Sequence, residues 1–174
     1  YLTESPQKRP LHRASKEAAQ LLLSRVYLYM QDWHNAALTA EELLKEDTRL
    51  YHMSARDSAR IFLSEDNTEV LFSQGSMNFY NGMTGNRGDF AVSDSLVQLY
   101  DQENDYRRYF FGKNQSTSAN SLQWKYDTIA VPHVSDIYTL RIAEGYLNLA
   151  EAYAMEDNFQ GANQYLRLLR ESRI

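Results

Sequence analysis

A glycine-rich stretch between residues 74 and 90, QGSMNFYNGMTGNRGDF, holds the side chains best suited to bind a ligand. Aromatic rings can stack on the apolar face of a sugar, while amide and guanidinium groups beside them hydrogen-bond its hydroxyls. The stretch supports neither helix nor strand, and its aromatic content argues against a disordered linker. We therefore predict a glycan-binding loop with these candidate residues: Asn78, Phe79, Tyr80, Asn81, Arg87 and, more distantly, Trp124.

The aromatic residues of this set also have a structural interpretation, which the sequence leaves open. Phe79 or Tyr80 can pin the loop to neighbouring helices, and Trp124 can be a packed residue of a short strand. Tyrosine at a surface often contributes to recognition, because its ring and hydroxyl contact a ligand together at low entropic cost. The chain has 13 tyrosines, and repeat helices can also use them in their cores.

No catalytic motif is evident in the sequence. There is no GxSxG elbow, Walker loop or GxGxxG after a strand, and the glycines of residues 82–88 lack the lysine and helix onset of a phosphate cradle. Paired carboxylates at Asp101 and Asp105, or at Glu65 and Asp66, are compatible with a glycosidase but do not by themselves support one. We therefore predict that the protein is not an enzyme.

Metal and cofactor sites are not expected either. The chain has no cysteine, which removes disulfides, thiolate metal sites and cysteine nucleophiles. The histidines occupy four separate segments without metal-ligand spacing such as HExxH: His12, His34, His52 and His133.

The charge and the apolar pattern restrict the class of partner. The 174 residues have a net charge of −5, so a broad nucleic-acid or anionic-membrane surface is not expected. There is no run of about 18 apolar residues, so no segment is expected to span a membrane.

The stretch between residues 15 and 45 must form part of the scaffold for the loop. Apolar residues recur there at helical spacing, pause at Gln31, Asp32 and Trp33, and resume at Ala36. This pattern indicates two helices joined by a tight turn, as in a tetratricopeptide hairpin. Ser15 is a suitable N-cap for the first helix.

The same pattern returns between residues 140 and 170. Aligning Tyr27 with Tyr153 superimposes equivalent apolar positions of the two hairpins. The hairpins are too far apart for a tandem array with a period of about 34 residues, so the region between them is expected to carry the function.

Short elements are predicted between the hairpins. Residues 69–73, EVLFS, have the character of a strand. A short helix over residues 95–100 can be capped by Ser93 or Asp94. Residues 122–126, LQWKY, alternate as in an edge strand.

Two groups of polar residues have both a structural and a functional interpretation. Asp105, Arg107 and Arg108 can form a salt-bridge cluster or a ligand site. A polar stripe on the last hairpin is interpreted as an inter-helix network, because an isolated buried charge is costly, and it comprises Arg141, Glu144, Asn148 and Glu151.

The predicted fold is mainly α, with tetratricopeptide-like helical hairpins scaffolding long loops and a few short β-strands. We expect residues 1–174 to be part of a single domain. It would contain a first helix pair in residues 14–46, a loop-rich insert with short strands in residues 47–135, and a second helix pair in residues 136–174.

The order of these motifs resembles the SusD/RagB family. The specific blocks are RASKEAAQLLLSRVYLYMQDW and LRIAEGYLNLAEAYA, and EVLFSQ, YDQENDYRRYFF, WKY and LRLLRESR occur in the matching order. The resemblance extends from Arg13 to Arg173. It implies a SusD-like α/α superhelix in a nutrient-binding lipoprotein exposed on the outer membrane of Bacteroidetes.

The resemblance also implies partners. Family members capture glycans or peptides and cap a TonB-dependent transporter of the SusC type, so an oligosaccharide ligand and such a transporter are expected. The chain looks like an internal to C-terminal portion of a longer protein. Membrane contact is expected only through an N-terminal lipid anchor outside this chain, and neither a cofactor nor nucleic acid is implied.

The leading hypothesis is a non-catalytic cell-surface protein that captures oligosaccharides for import through the partner transporter. The alternative is a tetratricopeptide-like adaptor for protein–protein interaction, which would bind its partner on concave helix faces near Arg25 or Arg141. A glycosidase using Asp101 or Asp105 is a third hypothesis and requires turnover.

Overall fold

In a computed structural model of the protein, the described residues are 13–46, 48–53, 67–76, 91–101, 103–113, 120–121 and 135–174. Helices predominate, which confirms the predicted fold class. The helices are α1 (Lys16–Tyr29), α2 (Trp33–Glu46), α3 (Asp94–Gln98), α4 (Ile142–Met155) and α5 (Phe159–Glu171), with a 3₁₀ helix at Tyr106–Phe110. The strands are β1 (Val70–Ser76), β2 (Gly112–Lys113), β3 (Asn120–Ser121) and β4 (Ser135–Arg141).

The chain divides into two compact units. The first comprises Tyr1–Tyr51, Thr68–Ser73 and Tyr138–Ser172, and therefore contains both helical hairpins. The second comprises His52–Asn67, Gln74–Ile137 and Arg173–Ile174.

Side-chain caps set the ends of the first hairpin, α1 and α2. Ser15 Oγ accepts a hydrogen bond from the backbone N–H of Ala18 at 3.0 Å, which confirms the predicted N-cap. In the turn, Gln31 has a φ of 60° and Asp32 Oδ1 accepts from the N–H of Asn35 at 3.2 Å. Hydrogen bonds from Asn35 lower the pKa of Asp32, so a carboxylate faces the start of α2.

The second hairpin, α4 and α5, repeats this turn. Asp157 has a φ of 61°, and Asn158 Oδ1 accepts from the backbone N–H of Gly161 at 3.1 Å. The alignment of the two hairpins superimposes Gln31 on Asp157 and Asp32 on Asn158. The internal repeat therefore extends from the apolar positions to the turn that closes each hairpin.

The core of the first unit forms where α2 packs against α4. Small side chains on α2 let the helices approach, and a Cβ added at Gly145 of α4 would lie 3.0 Å from Leu43 Cδ2. Burying such apolar surface supplies most of the stability of amphipathic helices. The buried cluster consists of Ala18, Leu21, Ala36, Ala37, Ala40, Leu43, Leu44, Leu140, Ile142, Tyr146, Leu149 and Ala152.

A two-stranded sheet of β1 and β4 precedes the second hairpin. The N–H of Ile142, the first residue of α4, donates to Glu69 O at 2.8 Å. The strand predicted at residues 69–73 is present as β1 but continues to Ser76, so the prediction of no strand from residue 74 onward is wrong for its first three residues. Residues 135–141 form β4, a strand that the sequence prediction did not include.

The second unit is built from short elements. Ser93 Oγ accepts from the N–H of Leu96 at 3.2 Å, so Ser93 is the cap of α3. β2 and β3 pair antiparallel with Gly112 opposite Ser121. The edge strand predicted at residues 122–126 lies outside the described residues.

Candidate functional site

The predicted glycan-binding residues lie outside the part of the chain that the structure describes. These residues are Asn78, Phe79, Tyr80, Asn81, Arg87 and Trp124. Their role in binding therefore stays a prediction. The carboxylate pair Glu65 and Asp66 also lies outside the described ranges.

Asp105 and Arg107 form a structural ion pair in the second unit. Arg107 Nη2 donates to Asp105 Oδ2 at 2.5 Å, and Arg107 Nε donates to Asp105 Oδ1 at 2.9 Å. Asp105 is buried and also accepts from the N–H of Arg107 at 3.0 Å, at the start of the 3₁₀ helix. Burial opposes ionisation, but the hydrogen bonds from Arg107 outweigh it and hold the pKa of Asp105 below its ordinary value. The salt-bridge interpretation is therefore confirmed for this pair.

Aromatic rings complete the cluster around this ion pair. The Arg107 guanidinium lies 5.1 Å from the centre of the Tyr100 ring, and that ring lies 5.2 Å from the ring of Phe111. Arg108 does not join the ion pair, because its guanidinium lies over Tyr109 and Nη2 donates to the Tyr109 hydroxyl at 2.7 Å.

Asp101 is part of a turn, and its carboxylate is held there by local hydrogen bonds. Its carboxylate accepts from the N–H of Glu103 at 2.8 Å and from the side chain of Asn104 at 3.1 Å, which lowers its pKa. A glycosidase needs one carboxyl group that stays protonated as the general acid. The pKa of Asp101 and that of Asp105 are both lowered, which is opposite to the shift that a general acid requires.

An open cleft between α1 and α4 is the candidate binding site in the first unit. Its volume is about 320 Å³, and we call it the α1–α4 cleft. Its lining residues are Arg25, Leu28, Tyr29, Glu144, Asn148 and Glu151.

A bidentate ion pair forms part of the lining. Arg25 Nε donates to Glu144 Oε1 at 2.5 Å, and Arg25 Nη2 donates to Glu144 Oε2 at 2.7 Å. The hydrogen bonds to Glu144 raise the pKa of Arg25. Such fork-to-fork pairing fixes both side chains geometrically, so the pair holds the relative position of α1 and α4.

The remaining polar groups of the cleft differ in how they are held. Asn148 is buried, and its Nδ2 donates to Ser24 Oγ at 2.8 Å. Tyr29, in contrast, is 85% exposed, and Glu151 is also exposed. The predicted inter-helix network is thus confirmed for Glu144 and Asn148, while Glu151 belongs to the open side of the cleft.

Arg141, the first member of the predicted polar stripe, lies elsewhere. Its Nη1 is 3.9 Å from Oε2 of the buried Glu69. Glu69 Oε1 also accepts from the N–H of Tyr51 at 2.8 Å. Arg141 therefore contributes to the junction of β1, β4 and α4 and not to the α1–α4 cleft.

Exposed apolar side chains occur on α1 and α4 close in sequence to the lining residues of the α1–α4 cleft. Each is one helical turn from a lining residue in sequence, and such neighbours share a helix face. They are Leu22 and Val26 on α1, and Leu147 and Met155 on α4.

Sequence reasoning named Arg25, Glu144, Asn148 and Glu151 but missed Tyr29 as a surface residue of this cleft. The repeat itself carries the signal that could have found it. The hairpin alignment places Arg25 on Glu151 and Tyr29 on Met155. The first helix of each hairpin therefore has a face on which a charged residue is followed, one turn later, by an exposed apolar or aromatic residue.

Within the described ranges, no group of three or more acidic or histidine side chains could hold a metal ion. No helix within them is both long and apolar enough to cross a bilayer.

Comparison with known proteins identifies the fold. No family model and no curated protein matches the sequence. The solved structure of a SusD-like carbohydrate binding protein from Bacteroides vulgatus superimposes on this chain with a TM-score of 0.75 and 23% sequence identity. The match covers 99% of this chain and 40% of the length of that protein. A SusD superfamily protein from the same species matches 98% of this chain and 42% of its own, at 22% identity and a TM-score of 0.76.

A SusD superfamily protein from Bacteroides thetaiotaomicron gives the same result, with 99% of this chain and 44% of its own matched at 22% identity and a TM-score of 0.71. The chain thus spans less than half the length of these structures. It has a SusD-like fold, and the resemblance drawn from the sequence is confirmed at the level of the fold.

Proposed function

We propose that the protein is a non-catalytic binding protein that captures oligosaccharides for import through a partner TonB-dependent outer-membrane transporter. One observation carries this proposal: nearly the whole chain shares its fold with part of a SusD-like carbohydrate binding protein. Because a fold alone does not define a function, the proposal also relies on the chemistry of the candidate loop.

The residues that follow β1 in the sequence supply that chemistry. Asn78 follows the last residue of β1 by two positions, and Phe79 and Tyr80 come next. Ring faces stack on sugars while side-chain amides bond to hydroxyls, so this segment suits a neutral oligosaccharide. Arg87 and Trp124 would extend the contact area.

The absence of turnover is part of the proposal. Asp101 and Asp105 are both committed to local hydrogen bonds that favour their ionised forms. We propose no metal and no cofactor, since the sugar contacts named above need neither.

We further propose that the protein acts at the cell surface, attached to the outer membrane by an N-terminal lipid anchor. Its partner would be a SusC-like transporter, and nucleic acid is not among its ligands. This placement follows from the resemblance to the SusD/RagB family.

A glycan array screened with the intact protein tests the proposal. After a ligand is identified, we expect the double variant Phe79→Ala with Tyr80→Ala to weaken binding at least about tenfold. Each aromatic ring that stacks on a sugar contributes on the order of a kcal/mol to the binding free energy. A matched control replaces one exposed tyrosine and one exposed phenylalanine elsewhere, Tyr109→Ala with Phe159→Ala. Equal affinity of the loop variant and the wild type would remove the site assignment.

The second candidate function is a tetratricopeptide-like adaptor for protein–protein interaction. The α1–α4 cleft and the exposed apolar residues one helical turn from its lining favour it, since exposed apolar patches often mark protein interfaces. Substitution of Arg25 would then abolish partner capture, whereas changes in residues 77–90 would leave it intact.

A further inference from the structure

We infer that the α1–α4 cleft receives a basic side chain, lysine or arginine, carried by an apolar segment of a partner protein. This inference rests on the adaptor function proposed above and adds the chemistry of the partner. It concerns the first unit alone, where all six lining residues lie.

The cleft has an uncompensated negative charge. Glu144 is matched by Arg25, but Glu151 is exposed and makes no hydrogen bond or ion pair within the described ranges. A cation that enters the cleft can therefore pair with Glu151 without displacing the Arg25–Glu144 pair. Asn148 adds an acceptor, because its Nδ2 is committed to Ser24 and its carbonyl oxygen remains.

Tyr29 provides a second kind of attraction for a cation. Its ring is 85% exposed and lies among the cleft residues, one turn beyond Arg25 on α1. The π-face of tyrosine attracts ammonium and guanidinium groups. The cleft, about 320 Å³ in volume, is at the lower limit of ligand sites and suits a single side chain.

The surroundings favour a protein segment over a sugar. Leu22, Val26, Leu147 and Met155 offer neither hydrogen bonds nor aromatic faces to a sugar, yet they are exposed one helical turn from the lining residues. Protein interfaces pair such apolar contacts with a few charged groups that set orientation. A segment with apolar residues one turn either side of its basic residue would match this pattern.

A peptide titration of the intact protein tests the inference. The probe is an amphipathic helical peptide of roughly four turns, with leucines on one face and one central lysine. Its match carries norleucine, which is uncharged, in place of the lysine. At low salt we expect the lysine peptide to bind roughly five- to tenfold more tightly than the norleucine peptide. This is the difference in affinity expected from one exposed ion pair and one cation–π contact.

Glu151→Gln should abolish most of that preference. The control Glu42→Gln removes the same charge from the exposed face of α2 and should preserve it. Equal binding of the two peptides to the wild type, or a preference that survives Glu151→Gln, overturns the inference while leaving an adaptor function in place. Failure of both peptides to bind removes the adaptor function itself, and neither result bears on glycan binding.

Self-association is a separate outcome. If sedimentation shows that the intact protein is a dimer and Leu22→Glu dissociates it, a second copy of the chain occupies this surface and the inference is wrong.

Discussion

Arg25 and Glu144 join the two helical hairpins through a bidentate ion pair, with donor–acceptor distances of 2.5 and 2.7 Å. The two residues are 119 positions apart in sequence. Beside them, Asn148 donates to Ser24, so at least two polar contacts connect α1 with α4. These contacts have directional geometry, and they therefore fix the register of the two helices more narrowly than apolar packing does.

The first prediction concerns this ion pair. Arg25 and Glu144 have side chains that are 35% and 26% exposed, so the cost of breaking the pair lies between the surface and buried limits. We expect Arg25→Met to lower the free energy of unfolding by about 1–2 kcal/mol. A double-mutant cycle with Glu144→Gln, measured by chemical denaturation, should give a coupling energy of about 1 kcal/mol.

A matched control for that cycle is available on α5. Arg167 and Glu171 form an exposed pair at 3.4 Å, and Arg167→Met should change stability by less than about 0.5 kcal/mol. A coupling energy near zero for Arg25 and Glu144 would contradict their assigned role.

The second prediction contrasts two helical glycines. A Cβ at Gly161 would lie 2.6 Å from the Tyr153 ring, whose hydroxyl is held by Glu41 and whose neighbour is Tyr165. Because the ring cannot easily move, we expect Gly161→Ala to destabilise the protein by about 1–3 kcal/mol despite the better helix propensity of alanine.

Gly145→Ala is the comparison. Its Cβ would meet the flexible end of Leu43 at 3.0 Å, so the gain in helix propensity should offset most of the crowding. Thermal unfolding of both variants measures the difference, and equal destabilisation would contradict the assigned packing.

The third prediction concerns alkaline pH. Burial, and then the hydrogen bond that the Tyr153 hydroxyl donates to Glu41, raise the pKa of Tyr153 above its ordinary value. A raised pKa in the folded state means that this stabilisation is complete below the unfolded value, about pH 10, and is lost as the pH rises beyond it. Tyr153→Phe should cost about 1 kcal/mol at neutral pH.

Denaturation curves at neutral pH and above about pH 10 check this prediction. The difference in free energy of unfolding between the wild type and Tyr153→Phe should become smaller at the higher pH. A difference that stays constant would show that the hydrogen bond donated by the protonated hydroxyl does not stabilise the protein.

The fourth prediction concerns acid pH in the second unit. The pKa of Asp105 is lowered, so its contribution is present above the ordinary aspartate value, about pH 4, and is lost as the pH falls through the folded-state value. Asp105→Asn keeps an acceptor for the 3₁₀ helix but loses the ion pair with Arg107. We expect it to cost about 1–3 kcal/mol at neutral pH.

This cost should vanish at a pH low enough to protonate Asp105 in the folded wild type, because the carboxyl group is then as uncharged as the amide that replaces it. Chemical denaturation of the intact protein at neutral and at acid pH measures it. An undiminished cost at acid pH would mean that shape, and not charge, makes Asp105 important.

The hairpins could be predicted because their signals are local. Ser15 has the chemistry of an N-cap, and the apolar spacing around Tyr27 recurs around Tyr153. β4 was missed because residues 135–141 form a strand by pairing with β1, a distant segment. Local spacing does not reveal such pairings.

The α1–α4 cleft also combines features that the local sequence predicts with features that depend on tertiary packing. The polar stripe of α4 indicated that Glu144 and Asn148 face another helix, but their partners Arg25 and Ser24 depend on how the hairpins pack. Whether Tyr29 and Glu151 are exposed is likewise decided by packing and not by spacing.

The most direct test of the proposed function is calorimetric titration of the intact protein with an oligosaccharide selected on a glycan array, followed by analysis of the recovered sugar. Non-catalytic capture predicts saturable, exothermic binding and an oligosaccharide recovered at its original length. Shortened products, or no binding to any oligosaccharide tested, would contradict it.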